Sequence, residues 1–204
     1  MTEAGLRERK KQRTREAIIE AALRLFDERG FEHTTIADIA EAADIAPRTF
    51  FGYFRSKEDV AFADFPADFE ALAGRLRDRD ENKTAIEALR SFIAEALEQA
   101  NLADERELCR KRVIKQSEVL DAHRRALMGR MEDLLAEALA RDFGNQPGDL
   151  RPPMIASAAV AALGSLDKTG ISDAQAPPSR DEALAMIDQA LTFLQGGLAA
   201  LQQR

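Results

Sequence analysis

Apolar residues recur at spacings of three and four along nearly the whole chain, which lays them on one face of a helix. No stretch alternates with the period of two expected of a half-buried strand. The pattern predicts an all-α protein of about nine helices. The first helix runs from about Arg7 to Arg29, with Ile18, Ala22, Leu25 and Phe26 on one face, and Gly30 closes it in a left-handed cap. Thr35 and Asp38 read as an N-cap and its acidic partner, opening a short helix through Ala43. A second short helix follows a brief turn, with Pro47 in its first turn, and runs to Phe54. Ser56 and Asp59 form another capping pair and open a longer fourth helix, which Pro66 interrupts because it cannot donate a backbone hydrogen bond. Amphipathic segments then cover about 84–100, 104–116, 119–143, 152–166 and 180–201. The loops 144–153 and 167–179 are rich in turn formers, and Ser179 with Glu182 makes a capping box for the last helix.

The 204 residues suffice for one large domain or a small one followed by a larger one, and the pattern divides them at residue 60, into 1–60 and 61–204. No apolar run approaches the roughly 18 residues of a membrane span, and the basic start lacks the apolar stretch of a secretory signal, so a cytoplasmic protein without a membrane partner is expected. Cys109 has no second cysteine to bridge, and only His33 and His123 accompany it, so neither a metal nor another cofactor is expected. Carboxylates abound, yet none shares a loop with a nucleophile and a base, and no catalytic residue is assigned. A net charge of −7 argues against a nucleic-acid partner only if charge is averaged over the chain. Arg7, Arg9, Lys10, Lys11, Arg13 and Arg15 are opposed within their own segment by Glu8 alone, which concentrates positive charge beside an acidic remainder.

A short helix, a tight turn and a second short helix is the helix-turn-helix arrangement, whose second helix can enter the major groove of DNA. Ala40 and Ala43 are small enough for close helix approach, while Ile36, Ile39, Ile45, Phe50 and Phe54 supply an apolar core. This leaves Pro47, Arg48, Thr49, Gly52, Tyr53 and Arg55 for solvent and DNA. Arg48 is suited to guanine O6 and N7, whereas Thr34, Thr35, Tyr53 and Lys57 can reach phosphates. The reading requires Phe50 and Phe54 to face inward and Arg48 to face water.

The stretch TTIADIAEAADIAPRTFFGYFRSKEDV, from Thr34 to Val60, together with the preceding AALRLFDERGFEH, resembles the DNA-binding domain of TetR-family repressors. The resemblance implies that Pro47 and Arg48 face bases, that Thr49, Phe51, Gly52 and Tyr53 face the DNA backbone, and that Lys57 meets a phosphate. Three positions depart from the family's usual pattern. Asp44 stands for the turn glycine, a substitution that Asp tolerates because it enters the left-handed region more readily than most residues. Ala46 stands for a serine cap, forfeiting about 1 kcal/mol that the preset φ of Pro47 partly offsets. Phe51 stands for a tyrosine, so one hydroxyl is missing from the expected phosphate contacts.

TetR-like C-terminal domains commonly hold a ligand cavity among their helices. Phe62, Phe65, Phe69, Leu72, Leu89, Phe92, Met128 and Met131 offer the apolar, adaptable lining such a cavity needs, though most are expected in the core. Cys109, a small apolar residue by default, and Arg112 complete the candidate ligand set. The basic stretch from Arg106 to Arg125 reads first as a solvated helix face. The region also resembles, more weakly, the mycofactocin-regulator-like branch, whose members respond to acyl-CoA thioesters. That likeness implies an acyl chain among the Phe and Met side chains, with part of the basic stretch neutralising CoA phosphates.

Two operator half-sites one DNA turn apart call for a two-fold dimer. Met154 to Leu166 and the last helix, through Leu184, Ile187, Leu191, Leu194 and Leu198, are its interface candidates, since the family builds a four-helix dimer bundle from these two helices. The expected protein is thus a regulator, not an enzyme. Its expected partners are double-stranded operator DNA, a second copy of itself and a small hydrophobic or acyl-CoA-like effector that releases it from a palindromic operator. The competing reading is a helical adaptor or enzyme that binds no DNA.

Overall fold

The computed structural model describes residues 3–99, 104–166 and 179–202. Among these residues all regular structure is helical: α1 (Glu3–Arg29), α2 (Ile36–Ala42), α3 (Pro47–Phe50), α4 (Lys57–Ala61), α5 (Phe65–Arg77), α6 (Ala85–Gln99), α7 (Glu105–Gln116), α8 (Glu118–Asp142), α9 (Arg151–Leu166) and α10 (Arg180–Gln202). The count exceeds the expected nine because the fourth segment is two helices. The chain leaves helical geometry at Phe62 (φ −114°, ψ 34°), before Pro66 is reached. Pro66 then sits in the first turn of α5, where a missing N–H costs nothing.

Two compact units emerge. The first comprises Met1–Phe65 and Asp104–Arg125, the second Pro66–Ala103 and Ala126–Arg204. The first unit therefore takes in α7 and the opening turns of α8, which a linear division at residue 60 assigns elsewhere.

The first unit is built on α1, whose residues Ile18, Ile19, Ala22, Leu23, Leu25 and Phe26 are buried against Ile39 of α2, Phe50 of α3, Val60 and Ala61 of α4, Val113 of α7 and Leu120 of α8. Gly30, at φ +85°, turns the chain off α1, and Phe31 packs edge-on against Phe26 with ring centroids 5.0 Å apart. Thr35 and Asp38 form a complete capping box on α2. In the turn between α2 and α3, Asp44 adopts φ +52°, the left-handed conformation that the resemblance implies at the place of a turn glycine.

In the second unit Leu72, Leu76, Ile86, Leu89, Leu135, Leu139, Ile155, Ala159, Ile187 and Leu191 form one core. Thr84 and Glu87 form the capping box of α6. Asp142 accepts from the Ala85 N–H at 2.7 Å while its other oxygen pairs with Arg79. Ile187 and Leu191, expected at a dimer interface, instead face this core, as do Ile155, Ala156 and Ala159. The outward stripe of α9 is Met154, Ala158 and Ala161, spaced i, i+4, i+7, with Met154 65% exposed. The side chains of Leu194 and Leu198, and the loop 167–178, lie outside the described residues.

Candidate nucleic-acid interface

The geometry of α3 follows from its two faces. Phe50 is completely buried and Phe54 is 7% exposed, so the aromatic side turns into the first core, where the two rings lie 5.9 Å apart. Pro47, Arg48, Phe51 and Gly52 are consequently exposed, and Thr49 and Tyr53 half-buried. The helix starts without a side-chain cap, because Ala46 has no hydroxyl, and Pro47 at its first turn presets the backbone. It ends sooner than expected, at Phe50, and continues as turns through Tyr53, held by the Tyr53 and Phe54 N–H groups donating to the Phe50 carbonyl at 2.9 and 3.0 Å. A Cβ on Gly52 would stand 3.2 Å from the Thr49 carbonyl oxygen, so this turn has little room for a side chain.

Phe51 is 59% exposed, an unusual position for a bare aromatic ring. It leans on Phe50 edge-on at 5.6 Å, which fixes its direction without covering it. It presents an apolar face beside Arg48, where the resemblance leads one to expect a hydroxyl.

Beside α3, the first turns of α1 add a wall that the helix-turn-helix motif alone does not contain. Leu6, Arg7, Glu8, Lys10, Lys11 and Thr14 line one side of an open groove, and Arg48, Thr49, Gly52 and Tyr53 the other. Its volume is about 1260 Å³, above the roughly 300–1,000 Å³ of ordinary small-molecule pockets. Four cations against the single carboxylate of Glu8 make it a place for a polyanion. The sequence signal was present in the basic run and in the helix expected from about Arg7; what it lacked was the tertiary placement of that run beside α3.

Two expected phosphate ligands are placed differently. Thr34 is buried, and its hydroxyl donates to the Gly30 carbonyl at 2.9 Å and the Leu25 carbonyl at 3.3 Å, pinning the corner between α1 and α2. With the chain turned back at Gly30, this hydroxyl sits over the carbonyls of Leu25, within α1, and of Gly30, just beyond its end. Lys57 donates to the Phe31 carbonyl at 2.5 Å and the Thr34 carbonyl at 3.0 Å, and its ammonium lies 4.1 Å from the centre of the Phe31 ring. Two of its three donors thus serve the fold. Thr35 is exposed, with its hydroxyl engaged by Asp38, whose carboxyl the Thr35 hydroxyl and N–H hold below its usual range.

The candidate ligand residues divide between the units. Leu89, Phe92 and Met131 come together in the second core, Met128 is half-buried, and Phe69 carries the Arg130 guanidinium 4.7 Å over its ring. Phe62, Phe65, Cys109 and Arg112 belong to the first unit. Phe62 stacks on His123 at 5.2 Å, and the Cys109 thiol lies 3.6 Å from the Leu23 carbonyl. Burial pushes that thiol above its ordinary range, which disfavours the reactive thiolate. Arg112, 54% exposed, is paired with Asp27 at 2.8 Å in a groove between α1 and α7, and that hydrogen bond lowers the Asp27 carboxyl. Among the described residues no cluster of three or more His, Cys, Asp or Glu could hold a metal ion, and no helix is long and apolar enough to cross a membrane.

Comparison with known proteins gives two family matches. Residues 18–63 match the model of bacterial regulatory proteins, tetR family, and residues 83–199 match that of the MftR C-terminal domain. The HTH-type transcriptional regulator TcmR of Streptomyces glaucescens is 46% identical over 85 residues, which span 42% of this chain and 38% of that protein. The mycofactocin biosynthesis transcriptional regulator MftR of Mycobacterium tuberculosis is 33% identical over 152 residues, 72% of this chain and 75% of the relative. Among solved structures, Thermus thermophilus FadR in complex with lauroyl-CoA shares the fold at a TM-score of 0.55 and 23% identity, covering 89% of this chain and 93% of that one.

Proposed function

The chain belongs to the TetR family of transcriptional regulators, and from that membership we propose that it is a repressor whose α3 docks in the major groove of a palindromic operator and leaves when an effector binds. The family consists of DNA-binding regulators rather than enzymes, which displaces the adaptor or enzyme alternative. The observation that carries the reading is the groove between α1 and α3, with Arg7, Lys10, Lys11 and Arg48 on its walls and the aromatic face of α3 turned inward. In this arrangement Pro47 and Arg48 meet base edges, while Thr49, Phe51, Gly52 and Tyr53, with the first turns of α1, follow the sugar–phosphate backbone. Thr35 and Lys57 contribute at the rim, Lys57 through its remaining donor. Operation in the cytoplasm, where the DNA lies, goes with this role.

The operator is recovered by selecting duplexes from a random pool, and binding is followed by gel shift. Arg48→Ala is expected to weaken the selected site by about 1–3 kcal/mol while leaving nonspecific binding nearly unchanged. Equal losses on selected and random duplexes would remove α3 from base recognition.

A second copy docks through α9 and α10, whose exposed stripe of Met154, Ala158 and Ala161 offers small and apolar side chains for close approach. The effector is a small hydrophobic or acyl-CoA-like molecule. The match to the MftR C-terminal domain and the fold shared with a lauroyl-CoA complex support the thioester class. Of the apolar candidates, Phe69, Leu89, Phe92, Met128 and Met131, which all belong to the second unit, are its proposed lining. Calorimetry with acyl-CoAs of increasing chain length, run beside neutral drugs, tests this; absence of heat from every thioester ends the acyl-CoA assignment.

A further inference from the structure

Among the cations between Arg106 and Arg125, Arg110 of α7 is set apart by its surroundings. Its side chain is only 11% exposed, whereas that of Arg112, two residues on, is 54% exposed. One guanidinium nitrogen is well used: Nη1 donates to Asp64 at 2.9 Å and lies 3.3 Å from Glu107. The other two, Nε and Nη2, are buried and have no hydrogen-bond partner among the described residues. Buried guanidinium donors are rarely left unpaired, because the group surrenders its hydration and gets nothing in return.

Nε and Nη2 sit on one edge of the guanidinium plane, the edge that offers two parallel N–H donors to a carboxylate or phosphate. The nearby carboxylates are already committed, since Asp64 also faces Arg15 at 3.7 Å and Glu107 holds Nη1. One helical turn along α7, Val113 is buried in the first core and Ile114 packs against it, so the guanidinium has apolar neighbours on its own helix. We propose that the free edge of Arg110 is the seat of an oxyanion, a carboxylate or phosphate monoester, at the head of a largely apolar effector.

The site has a physical route to α3 within the first unit. An oxyanion on Arg110 competes with Asp64 for the same guanidinium. Asp64 is shared with Arg15, and Arg15 donates to the Ala63 carbonyl and places its guanidinium 5.5 Å over the ring of Phe54. Binding at α7 thereby changes what holds the end of α4 against α1, next to the aromatic side of the recognition segment. This consequence rests on the regulator reading; the anion site itself does not.

The test is calorimetry on the full chain without DNA, with decanoate, decyl phosphate and decanol as probes. At least one anion is expected to bind about tenfold or more tightly than decanol, and the tighter anion identifies the head group. Arg110→Lys keeps the charge but loses the two-donor edge, and Arg110→Met removes both; in each, with circular dichroism showing the helices intact, anion affinity is expected to fall to that of decanol. Equal affinity for the three probes, no binding of either anion, or an anion preference that survives Arg110→Lys overturns the proposal. If wild type prefers the anions yet binds no selected duplex, the regulator reading fails and this site stands; the converse result removes this site alone.

Discussion

Thr34 shows how far a residue's chemistry can be read without its neighbours. A threonine just ahead of an N-cap reads as a polar, phosphate-reaching side chain, yet its hydroxyl turns inward onto two carbonyls at the end of α1. Thr34→Val is therefore expected to cost about 1 kcal/mol of stability and to leave affinity for the selected duplex unchanged. A variant with wild-type melting and weakened binding to the selected duplex would return Thr34 to the DNA interface. Asp44 illustrates the opposite case, because its left-handed φ of +52° was implied by the resemblance, which sets it in the place of a turn glycine. Asp44→Val places a β-branched side chain in that conformation and is expected to lower stability by roughly 1–2 kcal/mol, read by chemical denaturation; no loss would mean the turn relaxes. Phe50, Phe54 and Arg48 were legible too, since helical spacing decides which of them faces the core. Arg110 was not, because burial of one cation in a basic run depends on what packs against α7 from elsewhere in the sequence.

Helix starts were more legible than helix ends. Thr35 with Asp38, Ser56 with Asp59 and Ser179 with Glu182 all form the caps their spacing announces, because a capping box needs only side chains three residues apart. The end of α4 at Phe62 carries no glycine or proline, and only the packing of Phe62 against the first core and its stacking on His123 mark it. The start of α8 is a cap of another kind. Ser117 accepts from the Leu120 N–H at 3.4 Å and donates to Glu32 at 2.7 Å, so one buried hydroxyl ties α8 to the turn after α1. The Ser117 hydroxyl is the largest influence holding the Glu32 carboxyl below its ordinary range. A depressed carboxyl contributes stability above the ordinary glutamate value and loses it as the pH falls through the folded one. Ser117→Ala is expected to cost about 1 kcal/mol near neutral pH, and the gap from wild type should narrow on acidification below about pH 4.5. A gap that stays constant or widens in acid would show that the Ser117–Glu32 bond adds nothing to stability.

The net charge of −7 pointed away from DNA, and only its distribution pointed back. As the spacing predicts, the basic run forms one helix with the buried half of α1. Replacing Arg7, Lys10 and Lys11 together with alanine is expected to reduce the slope of log affinity against log salt by about 0.9 for each phosphate that the arm no longer neutralises. An unchanged slope would take the arm out of the interface. The outward stripe of α9 makes a separate prediction: Ala158→Arg is expected to give a monomer by sedimentation and to abolish binding to a two-half-site duplex while the helices stay formed. A dimeric Ala158→Arg would move the interface off α9.

The unbroken course of α1 has a mechanical side. A helix of 27 residues is about 40 Å long, and Arg7 lies about 28 Å along it from Phe26. A tilt of about 5° around that buried end carries Arg7 through about 2.5 Å, close to the length of a hydrogen bond. The arm is thus a lever that turns a slight rocking inside the first unit into a displacement at its tip as large as the reach of a hydrogen bond.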